Sequence, residues 1–114
     1  MHVSVVGEPD DPVVVVVRGN LDADSAPVLT TALDQVLAAA VPRIVIDLSG
    51  VEFCDSTGLS AFVVGHNRAV ERGGWLRLSG PSEFLGRLLE TVGLIPRLPV
   101  YAEVTDALAD RDAY

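Results

Sequence analysis

The sequence predicts one α/β domain over residues 1–114, a mixed β-sheet with packed helices in the order β-β-α-β-α-β-α-β-α. Three observations carry that expectation. Two short β-branched runs flank a turn-forming segment near the start. Apolar runs of strand length then alternate with stretches whose apolar residues recur at helical spacing, and prolines and glycines fall at the joints. At 114 residues and 49% apolar, the chain can bury one core and is short for two, and it contains no internal repeat or polar linker.

The elements follow in order. "MHVSVVG" and "PVVVVVRG", split by "GEPDDP", should form an opening hairpin, and the second run, apolar from Val13 to Val17, suits a strand covered on both faces. After "GNLD", Asp24 or Ser25 can cap a helix with Pro27 in its first turn. Val28, Leu29, Ala32, Leu33, Val36 and Leu37 form its apolar stripe, and Pro42 marks its limit. "RIVIDLSG" reads as the third strand, with "SGVEF" leading to the cluster "EFCDSTGLS". A second helix is expected from about Ser56 to Arg72, ending at Gly73-Gly74. "WLRLSG" is the fourth strand, "PSEFLGRLLETVGL" the third helix and "RLPVYA" a short fifth strand; "TDALADRDAY" closes as a helix capped by Thr105.

Composition removes several functions. The net charge is −8, and the eight basic residues are all arginines scattered singly, so no patch can follow a phosphate backbone and nucleic-acid binding is not expected. The absence of lysine excludes a Walker A loop, Schiff-base chemistry and a lysine-dependent receiver domain. Mean hydropathy is +0.39, yet the longest apolar runs fall far short of the roughly 18 residues of a spanning helix, so no membrane insertion is expected. No secretion signal is visible at the N-terminus, and Cys54 is the only cysteine; a soluble, cytoplasmic protein is the simplest expectation.

The cluster around Ser56 invites four readings. As local structure, Asp55 and Ser56 are helix caps, each typically worth about 1 kcal/mol. A cysteine phosphatase needs an arginine six positions beyond the nucleophile, where this chain has Ser60. A serine hydrolase elbow would place glycines on both sides of Ser56, but Cys54 takes one of those places, and His66 lies about 15 Å along the helix. Two distant histidines and one cysteine give no metal-ligand spacing, so neither a metal nor a cofactor is expected, and enzyme chemistry is not. Phosphate remains. A phosphoryl group on Ser56 would meet N–H donors at a helix N-terminus, with Gly58 keeping the backbone accessible, while Asp55 would repel its charge of about −1.5 to −2.

"GNLD", "IVIDLSGVEFCDSTGLSAFV" and "GGWLRLSGPSEFLGRLLETVGL" together resemble the STAS domain of bacterial anti-sigma factor antagonists, in order and over essentially the whole chain. The resemblance implies a single STAS-type domain that is a substrate and not an enzyme. It implies phosphorylation at Ser56 by an anti-sigma factor that is a serine protein kinase, which the unphosphorylated protein binds so that a sigma factor is released, and a phosphatase that removes the phosphate. It further implies a partner contact at Asp22. With Asp55, Thr57 and Gly58 as the surroundings of Ser56, the N-terminal half of the second helix, including Ser60, Ala61 and Val64, is expected to be the contact surface. Cys54 stands where the family often has a larger apolar residue or alanine, and the second hydroxyl is Thr57 rather than Ser. Other members of the wider family serve as accessory subunits of lipid or anion transporter complexes, which is the alternative function.

On the second helix, Leu59, Phe62, Val63 and Val70 share a face expected on the sheet, while Ala61, Val64 and Gly65 lie off it. Burial between layers and a face left apolar for a partner both explain that surplus. Trp75 is expected in the core, and Cys54 as a small buried group.

Overall fold

A computed structural model describes residues 1–8, 10–91 and 98–111. Its elements are β1 (His2–Val6), β2 (Val13–Leu21), α1 (Ala26–Leu37), β3 (Arg43–Cys54), α2 (Ser56–Glu71), β4 (Trp75–Ser79), α3 (Glu83–Thr91), β5 (Val100–Tyr101) and α4 (Val104–Ala109). The strands form one five-stranded sheet in the order β1-β2-β3-β4-β5. β1 runs antiparallel to β2, from His2↔Arg18 to Val6↔Val14, and every later pairing is parallel. The expected α/β order and mixed sheet are both present.

A single direction of strand addition combined with right-handed crossovers puts α1, α2 and α3 on one face. The burial pattern agrees. Val13, Val15 and Val17 of β2, Ile44, Ile46 and Leu48 of β3, and Leu76 and Leu78 of β4 join Leu29, Leu33, Phe62, Leu85 and Leu89 of the helices in one core. The opposite face carries a smaller cluster, Val45, Tyr101 and Ala107, with α4 across it. β2 is therefore not buried evenly on both faces: Val14 and Val16 are only half-buried, because α4 is too short to cover them.

Several local expectations are corrected. "SGVEF" is not a connector, since β3 continues through it to Cys54 beside β2, with one register shift just before Gly50 and a second at Glu52. β4 pairs with β3 only as far as Asp47↔Ser79, so the second half of β3 outruns its neighbour and forms a rim at the end of the sheet. Val28 and Val70 are about half exposed; each lies one helical step outside the buried face. Ala61 and Gly65 are buried, on the side of α2 that meets α1. Trp75 is half-buried in the smaller cluster, with the Arg77 guanidinium 3.7 Å from its ring centroid. Thr105 lies inside α4, whose N-cap position is Glu103. The third helix was expected to reach Leu94, but residues 92–97 lie outside the described part, as do 112–114 at the end of the last helix.

Candidate functional site

The rim formed by the ends of β2 and β3 and the starts of α1 and α2 gathers most of the residues that the sequence singles out. Asp55 occupies the N-cap of α2 in extended backbone (φ −106°, ψ −173°), and one carboxylate oxygen accepts from Thr57 N–H at 2.9 Å and Gly58 N–H at 3.2 Å. Its carbonyl accepts from Leu59 N–H at 3.1 Å. Asp55 is thus the cap. Ser56 is the first helical residue and carries no capping bond; its side chain is exposed. This alters the expected phosphate chemistry, because the N–H groups of Thr57 and Gly58 are already bound to the Asp55 carboxylate.

Behind that turn the packing is tight. Cys54 is buried, and a Cβ placed on Gly58 would come within 2.7 Å of both Cys54 Sγ and Leu21 Cγ. Gly58 is itself buried, so what the rim gains from it is close approach, not a side chain for contact. Burial, reinforced by the Asp55 charge, pushes the Cys54 thiol up to about 11, which leaves it protonated and unreactive near neutrality.

Asp22 lies next to this turn, at the end of β2, and is half-buried. Its carboxylate accepts from Ser25 N–H at 3.0 Å and Asp24 N–H at 3.1 Å. The Ser25 N–H and then the Ser25 hydroxyl hold the carboxyl below the ordinary carboxylate range. The expected side-chain cap of α1 takes a different form. Ser25 stands at the N-cap, but its hydroxyl turns back to donate to the Asn20 carbonyl at 2.7 Å, while Asp22 N–H donates to it at 2.9 Å.

Thr57, Ser60, Ala61 and Val64 line one wall of a groove of about 370 Å³ between α1 and α2. The facing wall is Ala26, Thr30 and Leu33, of which the sequence singled out only Leu33, and that as part of the α1 stripe. The signal was available, since the apolar surplus on α2 required a neighbour and α1 supplies it. Asp34 and Arg68 join across the groove at 2.5 Å, both well exposed. A second feature missed at the sequence level is the exposed pair Phe53 and Phe84, with ring centroids 6.4 Å apart. Phe53 belongs to the part of β3 read as a connector, which hid it. Among the described residues no group of three or more His, Cys, Asp or Glu side chains could hold a metal ion, and no helix is long and apolar enough to cross a membrane.

Comparison with known proteins adds to this geometry. A family model described as "Mlab, STAS domain" matches residues 4–96. The chain is 40% identical over 98 residues to the anti-sigma-B factor antagonist of Listeria monocytogenes, covering 82% of this chain and 84% of that protein. It is 37% identical over 95 residues to the anti-sigma-B factor antagonist of Bacillus subtilis, covering 82% and 86%. A crystal structure of an anti-sigma factor antagonist from Mycobacterium paratuberculosis superposes with a TM-score of 0.86 at 31% identity, over 96% of this chain and 92% of that one.

Proposed function

The chain belongs to the STAS-domain family, and on that premise we propose that it is an anti-sigma factor antagonist switched by phosphorylation of Ser56. In its unmodified state it binds an anti-sigma factor that is also a serine protein kinase, and so releases a sigma factor. The kinase phosphorylates Ser56, the complex dissociates, and a phosphatase restores the binding form. The protein is the substrate of both reactions, catalyses neither and acts in the cytoplasm.

The observation that carries this reading is the division of labour between Asp55 and Ser56. Asp55 holds the first turn of α2 by itself, so the exposed Ser56 hydroxyl is not needed for the cap and can be modified without breaking it. The Thr57 and Gly58 N–H groups are held by the Asp55 carboxylate, so a phosphoryl group on Ser56 does not find them free and carries its charge of about −1.5 to −2 at the exposed rim. A partner that covers this rim would have to strip water from that charge, which is expensive unless the partner supplies matching donors. Dissociation follows from the chemistry of the surface and needs no rearrangement of the scaffold. Thr57, Ser60, Ala61 and Val64, along the adjoining groove, are the contact surface of this reading, with Asp22, Asp55 and Gly58 shaping its edge.

The test uses the anti-sigma factor kinases encoded in the same genome, each purified and titrated against the wild type, Ser56→Ala and Ser56→Asp. One kinase is expected to phosphorylate the wild type at Ser56 by mass spectrometry. It should bind Ser56→Ala persistently in the presence of ATP, and bind Ser56→Asp at least about tenfold more weakly, a difference of about 1.4 kcal/mol. Melting temperatures of the variants should stay close to wild type. Equal binding of the two variants would refute the switch.

A further inference from the structure

The resemblance makes Asp22 a partner contact, but its bonding in the structure gives it other work. One carboxylate oxygen takes the N–H groups of Asp24 and Ser25, the Asp22 N–H is held by the Ser25 hydroxyl, and the Asp22 carbonyl accepts from Ala26 N–H at 2.8 Å. The Ser25 hydroxyl in turn donates to the Asn20 carbonyl. Asn20, Asp22 and Ser25 therefore close a clasp in which β2 ends and α1 begins, with Leu21 fully buried inside it. Leu21 touches the switch directly. Its carbonyl accepts from Asp55 N–H at 3.1 Å, and its side chain lies under Gly58. Whatever fixes Leu21 fixes the turn that presents Ser56.

We propose that Asp22 is a positioning residue: through Ser25 and Leu21 it sets the place and angle of the Ser56 hydroxyl, and it does not recognise the partner by its charge. The inference rests on the phospho-switch reading and adds to it an assignment for Asp22 and Ser25. Ser25 has no place in the contact surface described above, yet the clasp requires it as much as Asp22. What the clasp needs from residue 22 is an acceptor oxygen on a short side chain, and asparagine supplies that without charge. A docking contact to a cationic group would instead need the charge, would weaken as salt is added and would be indifferent to Ser25.

The experiment measures Ser56 phosphorylation by the kinase that modifies the wild type, with kcat and KM separated, in Asp22→Asn, Asp22→Ala, Ser25→Ala and the double alanine variant. Asp22→Asn should stay within about twofold of wild type with an unchanged salt dependence. Asp22→Ala and Ser25→Ala should each lower kcat by roughly tenfold to a hundredfold, the range expected for an acceptor displaced by about 1 Å, with KM little affected. The double variant should be no worse than the more impaired single one, because both break the same clasp. Amide exchange at Asp55, whose N–H reports the bond to Leu21, should accelerate in the alanine variants and not in Asp22→Asn. This readout needs no partner and remains informative if Asp22→Ala proves poorly folded. The proposal falls if Asp22→Asn is as impaired as Asp22→Ala while Ser25→Ala behaves as wild type, or if none of the variants differs from wild type. A wild type that no kinase modifies would overturn the phospho-switch first, and this proposal with it.

Discussion

At Gly58 a single missing carbon decides how the switch turn packs. A Cβ there would sit 2.7 Å from Cys54 Sγ and Leu21 Cγ, so an alanine must push both away or lift the start of α2. Gly58→Ala should lose about 1–3 kcal/mol in urea denaturation, the range for overpacking a closed site. Adding Cys54→Ala should recover part of that loss, because it removes one of the two obstacles; no recovery would mean that Leu21 alone sets the clash. The same few residues show what sequence can and cannot resolve. "DSTG" before an apolar helix announced a capped N-terminus and an accessible hydroxyl, and both are found. It could not say which oxygen would take the N–H groups, because that depends on the extended backbone at Asp55. Nor could it reveal that Ser25 faces back along the chain, since that hydroxyl finds its acceptor five residues earlier, at Asn20.

Among the elements, the periodic stripe was legible where leucines at helical spacing face the sheet. Leu29, Leu33 and Leu37 of α1 are all buried as their spacing requires. The reading failed at stripe edges, where Val28 and Val70 stand about half exposed, and at α2, which faces both the sheet and α1 and so has no single apolar stripe. The extension of β3 through Ser49-Gly50 was hidden because a bulge and a turn share the same residue types. α3 offers a direct test of local propensity. Gly86 lies in its interior, and a Cβ there would meet nothing within 4 Å. Gly86→Ala should therefore raise stability by about 0.5–1 kcal/mol, seen as a higher melting temperature, since it limits the freedom of the unfolded chain without straining the folded one. A loss of stability would show that the helix needs the glycine for a contact beyond the described residues.

For the molecule as a whole, the two faces of the sheet are held by unequal means. One face has three helices and nearly all the core; the other has α4 and a small cluster fastened by polar bonds. Tyr101, buried on that second face, donates its hydroxyl to the carboxylate of Asp110, which ends α4 in the left-handed region at φ 55°. Arg77 donates to the Ala107 carbonyl at 2.9 Å and lies over Trp75. Burial, and then the bond to Asp110, push the Tyr101 hydroxyl up from 10.0 to about 12. A group whose pKa is raised on folding stabilises the fold fully below its unfolded value, and that contribution is lost as pH rises towards the folded value. Tyr101 should thus contribute in full up to about pH 10 and progressively less towards 12. Cys54, raised from 9.0 to about 11, adds a similar loss one unit lower, but the same loss occurs in any Tyr101 variant and cancels in the comparison. Tyr101→Phe gives up the hydrogen bond, so at pH 7 to 9 it should be less stable by about 1 kcal/mol. Between pH 10 and 12 it has no phenol to titrate, so its stability should fall less steeply, and the two curves should converge and then cross before pH 12. Urea midpoints measured across that range decide the matter: curves that stay parallel would mean that α4 is held to the sheet without the Tyr101 proton.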